Sequence, residues 1–208
     1  MSICNNLHVI AAICGNFWQE SQVNPGAWEG WTVGSPGFGL GQWTDNPPAV
    51  MRRTALFNWL DANGYARDSG DGQLAFLVHE NLWIPSLFQQ SSYNTLTEYF
   101  QSTSTDISAL TLEWMYHWEG INDGSFSNRY NFALSIYDFM ASGETWREPW
   151  FSINDRLTEN EARWNSMRVM DFFLGTEPGP DEPTEEEILA IVRTALRRRK
   201  RGGGIIVF

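Results

Sequence analysis

Apolar residues recur at helical spacing from the start of the chain. Leu7, Ile10, Cys14 and Phe17 share a face, with Ile13 and Trp18 beside them, which predicts a helix from Asn6 to Glu20. Asn24-Pro25-Gly26 stops it. Residues 27–46 read as a loop carrying Gly30, Gly34, Gly37, Gly39 and Gly41. Within it Phe38, Leu40 and Gln42 alternate with Gly39, Gly41 and Trp43, the pattern of a short strand or hairpin arm. Three alternate glycines would leave one face bare for another backbone or a ligand. Pro47-Pro48 is expected to open a helix through Leu56, Trp59 and Leu60 that ends near Gly64. Further helical stretches follow at Gln73–Leu82, around Leu96, Tyr99 and Phe100, from a capping Asp106 to Trp118, and over residues 128–141, with Gly143 as a stop. The expected architecture of residues 1–143 is mainly α with one small β-hairpin element, an α+β arrangement.

The rest of the chain reads differently. Residues 144–175 form a helical extension, with one helix from Asn154 to Leu174. Residues 176–183 are an acidic, Pro-rich linker that is extended rather than packed. Thr184 and Glu187 make a capping-box signature for a helix with Ile188, Leu189, Ile191, Val192, Ala195 and Leu196 on one side. Arg197–Arg201, three glycines and an apolar Ile205–Phe208 close the sequence. Residues 184–208 thus read either as a frayed end whose cations suit a helix C-terminus or as an attachment tail.

Composition changes this picture in three ways. At 208 residues and 42% hydrophobic, the chain can bury a core and is not a disordered polymer. No apolar run is long enough to span a membrane, and no basic n-region marks a secretion signal. The net charge is −11, and the basic residues cluster in the tail, so an acidic body argues against nucleic acid as a partner. Eleven Trp residues exceed what a core alone asks for, and their flat faces suit sugar rings.

Glu20 is the first candidate for chemistry. It follows Ile13 and Phe17 on the same helix face. A carboxyl ending an apolar face is partly desolvated, which favours its protonated form and suits a general acid for glycosidic cleavage; a solvated Glu at a fraying helix end is the plain alternative. In the glycine-rich arm Gln42 can bond sugar hydroxyls or N-acetyl groups, and Trp43 can stack on a ring. Cys4 and Cys14 read as small buried residues without a disulfide or a nucleophile's setting. His8, His79 and His117 are scattered, so neither metal nor cofactor is expected.

Ala12-Ile13-Cys14-Gly15-Asn16, Gln19-Glu20-Ser21, Asn24-Pro25-Gly26, Trp28, and Gly37-Phe38-Gly39-Leu40 with Gln42-Trp43-Thr44 resemble the phage tail lysozyme family. The looser pattern is similar to goose-type lysozymes and lytic transglycosylases. A second block, Trp114, Tyr116, Glu119, then Arg129 and Ala133, resembles the same family. The resemblance covers about residues 5–143. It implies a lysozyme-like fold and a cleft for peptidoglycan glycan strands, with Glu20 as catalytic acid and Gly39, Leu40, Gln42 and Trp43 along the substrate. It implies cleavage of the β-1,4 bond between N-acetylmuramic acid and N-acetylglucosamine, by a virion tail component that opens the cell wall for DNA entry. The tail 184–208 would then dock on other phage tail or capsid proteins. Some relatives carry a peptidase domain after a glycine linker; none is visible here, so endopeptidase activity is not expected.

A glycosidase usually needs a second carboxylate. Asp45 follows Trp43-Thr44, but Asp45-Asn46-Pro47-Pro48 also reads as a helix-start turn. Glu119 can face Glu20 across the cleft, or pair with Arg129 to tie two helices together. Arg129 and Tyr116 would support the cleft. Glu29 lies in a loop. Without a second carboxylate, the chain would act as a transglycosylase, with the muramyl 6-hydroxyl in place of water. A non-catalytic virion protein that keeps the fold for glycan binding is the other alternative.

Overall fold

A computed structural model of the chain describes residues 2–48, 50–144 and 149–176. The described residues are mostly helical with a small antiparallel sheet. They comprise α1 (Leu7–Ser21), a 3-10 turn (Glu29–Trp31), β1 (Gly37–Phe38), β2 (Trp43–Asn46), β3 (Val50–Met51), α2 (Arg52–Ala62), α3 (Gly70–Glu80), α4 (Leu96–Phe100), α5 (Ile107–Trp114), a π-helical turn (Met115–Glu119), α6 (Phe126–Ala141) and α7 (Glu159–Leu174). None of these helices is long and apolar enough to cross a membrane.

Helix α1 is the centre of the molecule. Every residue from Val9 to Phe17 is buried, because α6, α5 and α7 cover it on different sides. Its start is fixed by Asn6, whose Oδ1 accepts the His8 amide at 3.0 Å. The same side chain donates to the Ser102 and Ser104 carbonyls, tying the helix start to the segment before α5. At Gly15 the α6 backbone comes so close that a methyl group would strike the Arg129 carbonyl and the Ala133 side chain. That contact brings α1 and α6 to close range and places the α6 side chains beside the end of α1.

The sheet runs in the order β1-β2-β3, with Phe38 opposite Trp43 and Asp45 opposite Met51. The expected hairpin arm is therefore split by a turn, Gly39 to Gln42, in which Gly39 and Gln42 have positive φ. The bare face expected of its glycines is filled by the protein itself. A methyl on Gly39 would meet the Gln73 carboxamide, and one on Gly41 would meet the Trp118 ring. Pro47 and Pro48 form a turn into β3, and α2 begins at Arg52 rather than at the prolines.

Other helices start where their caps lie. Ser69 caps α3 and Asp106 caps α5. Thr158 and Glu161 form a capping box, so α7 begins after Thr158 rather than at Asn154. Residues 149–176 pack into the same compact unit as the preceding chain. Phe173 accepts the Ile3 and Cys4 amides, and Asn165 donates to the Val23 carbonyl at 2.7 Å. Both cysteines are free and buried, and burial pushes Cys4 up to about 11 and Cys14 to about 12. Most of the linker and the whole tail, residues 177–208, lie outside the described residues.

Candidate active site

Glu20 and Asn16 stand one helical turn apart on α1, on the side that faces α6. Arg129, one turn into α6, reaches between them, and its side chain is fully buried. Every arm of the guanidinium is engaged. Nε donates to Ser125 Oγ at 2.8 Å, and Nη1 donates to Asn16 Oδ1 at 3.0 Å and to Glu119 Oε2 at 2.6 Å. Nη2 donates to Glu20 Oε1 at 2.5 Å and has Asp123 Oδ2 at 4.0 Å. A buried cation survives only when charge and hydrogen bonds both compensate its lost water, and here they do.

Glu119 arrives from the π-helical turn that continues α5. The turn closes at Gly120, which has φ 74°, and Ile121 N–H donates back to the Met115 carbonyl. The wider π spacing seats Trp118 in the core while delivering Glu119 to Arg129. The sequence leaves Glu119 either across a cleft from Glu20 or in an ion pair. The structure contains the ion pair: both carboxyls sit on the same guanidinium, within side-chain hydrogen-bonding reach of each other. Burial, and then the charge of Glu20, push the Glu119 carboxyl well above the usual range, against the opposing pull of Arg129. Among the described residues no donor approaches Oε1 of Glu119. The Glu119 side chain is 5% exposed and that of Glu20 is 21% exposed, so Glu20 is the member that meets solvent.

The other expected site residues are placed differently. Asp45 is an anchor: it accepts from Thr54 Oγ1 at 2.7 Å, Thr54 N–H at 3.0 Å and Arg53 Nη2 at 3.1 Å. It thereby caps α2 from the neighbouring strand. Burial works to raise its carboxyl, but the Thr54 hydrogen bonds and the Arg53 charge outweigh this and hold it below the usual range. With its acceptor positions filled, Asp45 does not fit the part of base or nucleophile. Trp43, expected as a sugar platform, is fully buried. Its ring meets Trp118 and Phe76 edge-on, and Nε1 donates to Glu80 at 3.3 Å. It is a core residue because β2 turns this position inward.

Gly39 and Leu40 also serve the scaffold. Leu40 N–H donates to Gln73 Oε1 at 2.8 Å, and its carbonyl accepts Ser21 Oγ at 2.8 Å, so the residue after Glu20 ties α1 to the hairpin turn. Gln42 folds back, with Nε2 donating to the Ala27 and Gly39 carbonyls and Oε1 buried without a partner among the described residues. Glu29 accepts the Gly37 amide at 3.0 Å. Tyr116 is half-buried and lies against Phe88 of the loop after α3. Trp114 and Trp118 are buried, while Trp18 stacks on Phe132 at 4.4 Å.

The sequence alone gives no role to three further residues. Gln73 braces the hairpin turn and the Pro25 and Arg67 carbonyls, although it reads as an ordinary helical position. Asn16 shares a face with Glu20 at i, i+4, and that spacing is a usable signal. Ser125 orients Arg129 from one turn earlier in the same stretch.

Comparison with known proteins identifies the family. Residues 6–140 match the phage tail lysozyme family. Morphogenesis protein 1 of Bacillus phage B103 is 43% identical over 75 residues, which are 35% of this chain and 19% of that protein. The matched stretch therefore spans about a fifth of that relative's length. The family match covers more than half of the chain and includes Glu20, Glu119 and Arg129, so the chain belongs to the phage tail lysozyme family.

Proposed function

We propose that the chain is a virion-borne, tail-associated peptidoglycan hydrolase that cleaves the β-1,4 bond between N-acetylmuramic acid and N-acetylglucosamine, with Glu20 as general acid. The carrying observation is a carboxyl at the end of a buried helix, part exposed and held at 2.5 Å by a fully buried guanidinium. Such a group is fixed in place yet open to a glycan strand. Protonated, Glu20 gives its proton to the glycosidic oxygen as the C1–O bond breaks. The leaving sugar departs with a new hydroxyl. Water then attacks C1, and the Glu20 carboxylate takes the proton that water loses. Residues 184–208 would hold the enzyme to other phage tail or capsid proteins.

A second reading is favoured by one observation. Asp45 is occupied as a helix cap, Glu119 is buried on the same arginine as Glu20, and Glu29, the third candidate, accepts the Gly37 amide, so each of the three already serves the scaffold rather than a water beside the sugar. A lytic transglycosylase needs no such group, because the muramyl 6-hydroxyl attacks C1 and gives its proton to Glu20.

The test is clearing of purified cell walls by the wild type and by Glu20→Gln, with mass spectrometry of the released fragments. Loss of at least ~100-fold in rate, with the fold intact, is expected. Equal rates would remove Glu20 from the chemistry. Anhydro products, one water lighter, would assign the transglycosylase reaction. Sedimentation with walls but no released fragments from the wild type would leave a glycan-binding virion protein.

A further inference from the structure

We infer that Glu20 and Glu119 share one proton on the Arg129 guanidinium, and that Glu119 is the positioning residue from which Glu20 draws the proton it delivers. The inference rests on the reading of Glu20 as general acid, and it assigns a role to the carboxyl buried behind it.

Charge and geometry carry it together. Two carboxyls lie on one guanidinium through different nitrogens, Glu119 on Nη1 and Glu20 on Nη2. Among the described residues the remaining charged neighbour is Asp123, whose side chain is 48% exposed and stands 4.0 Å from Nη2. Burial, the Ser125 hydrogen bonds and Arg129 act on Asp123 in that order, and the last two win, so it stays ionised. With Glu20 and Glu119 both ionised as well, three carboxylates would face one guanidinium, an excess of two negative charges. One proton on the Glu20–Glu119 pair balances that pair against Arg129 and leaves the remaining charge on the half-exposed Asp123, where water screens it. Glu119 Oε1 shows where it sits: this oxygen is buried, no donor among the described residues reaches it, and the Glu119 carboxyl has Glu20 as its hydrogen-bonding neighbour on the same guanidinium. As a bare carboxylate oxygen it would have lost its water with nothing in return. As a carboxylic acid it donates to Glu20 and is satisfied. Burial raises the Glu119 carboxyl in the same sense.

The proton then has a path with a direction. It starts on the inner carboxyl, 5% exposed, and leaves from the outer one, 21% exposed. The O–H bond of Glu119 breaks as that of Glu20 forms, and the negative charge moves inward to Glu119. Arg129 Nη1, 2.6 Å away, is already in place to meet it. Glu20 next protonates the glycosidic oxygen. It is reloaded by the proton of the attacking water or 6-hydroxyl, which can pass back to Glu119. Arg129 need not move, because it contacts both acids throughout.

Carbon-13 NMR of the glutamate carboxyls in the full-length chain tests the resting state directly. The Glu119 carbon should read as protonated at neutral pH, and Glu20→Gln should displace its titration. A Glu119 carbon that reads ionised, or one that ignores Glu20→Gln, overturns the shared proton. Kinetics on soluble glycan fragments tests the role. Glu119→Gln keeps the volume and a donor but cannot release a proton. It should lower kcat at least ~10-fold with KM little changed and move the alkaline limb of the rate profile to lower pH. Glu119→Asp should recover part of the loss. An unchanged kcat and pH profile in a folded Glu119→Gln overturns the role of Glu119 while leaving that of Glu20 standing. Glu20 itself fails only if Glu20→Gln stays active. If Glu119→Gln does not fold, the NMR result on the wild type decides.

Discussion

Asp45 takes three hydrogen bonds from two adjacent residues of α2, which makes it an anchor of the fold. Its folded-state carboxyl lies below the unfolded value, so it stabilises the fold above that value, near pH 4. The contribution drains away as pH falls through the folded pKa. Asp45→Asn should cost about 1–3 kcal/mol at neutral pH by urea unfolding, and the gap to wild type should close in strong acid. Wall clearing below the unfolding transition should persist. If Asp45→Asn removes activity while stability holds, Asp45 belongs to the chemistry after all. At this scale the sequence is informative about charge and poor about direction. Glu20 stands out because it ends an apolar helix face, whereas Glu119 and Arg129 stand out through the block that resembles the phage tail lysozyme family. Trp43 misleads because an aromatic ring suits a sugar face and a core equally well, and only the register of β2 against β1 turns it inward.

Among the elements, the crossing of α1 over α6 matters most, since one helix carries the acid and the other its cation. Gly15 leaves no space for a side chain at that crossing. Gly15→Ala should therefore destabilise the fold by about 1–3 kcal/mol in thermal unfolding, despite the better helix propensity of Ala. It should also lower activity by parting Glu20 from Arg129. A stabilised, fully active Gly15→Ala would show that the crossing has slack. The helices themselves are readable from spacing, and several of their ends from caps such as Ser69 and Asp106. The π-helical turn is not, because inserting one residue into a helical ladder leaves no mark in an apolar pattern that already contains Trp114, Met115 and Trp118. Strand β3 escapes as well, being two exposed residues long.

For the molecule as a whole, the stop at Gly143 marks a helix end but gives no sign of how the next segment docks. Residues 149–176 return to the body through contacts no periodicity shows, such as Asn24 Nδ2 donating to the carbonyls of Ile153 and Asp155. Two side-chain amides, Asn24 and Asn165, thus fasten this segment beside α1. Their type is common in loops and gives no hint of such a role.

In the loop after α3, Leu87 is fully exposed and Phe88 half so, and no Lys or Arg occurs between Arg67 and Arg129. Trypsin should leave this stretch whole in the folded protein, whereas chymotrypsin should nick it first at Leu87 or Phe88. The two pieces should stay associated on a sizing column, clasped by the Ile84–His117 hydrogen bond and by the apolar interior they share. Their separation would mean that the loop, rather than the core, holds the halves in place.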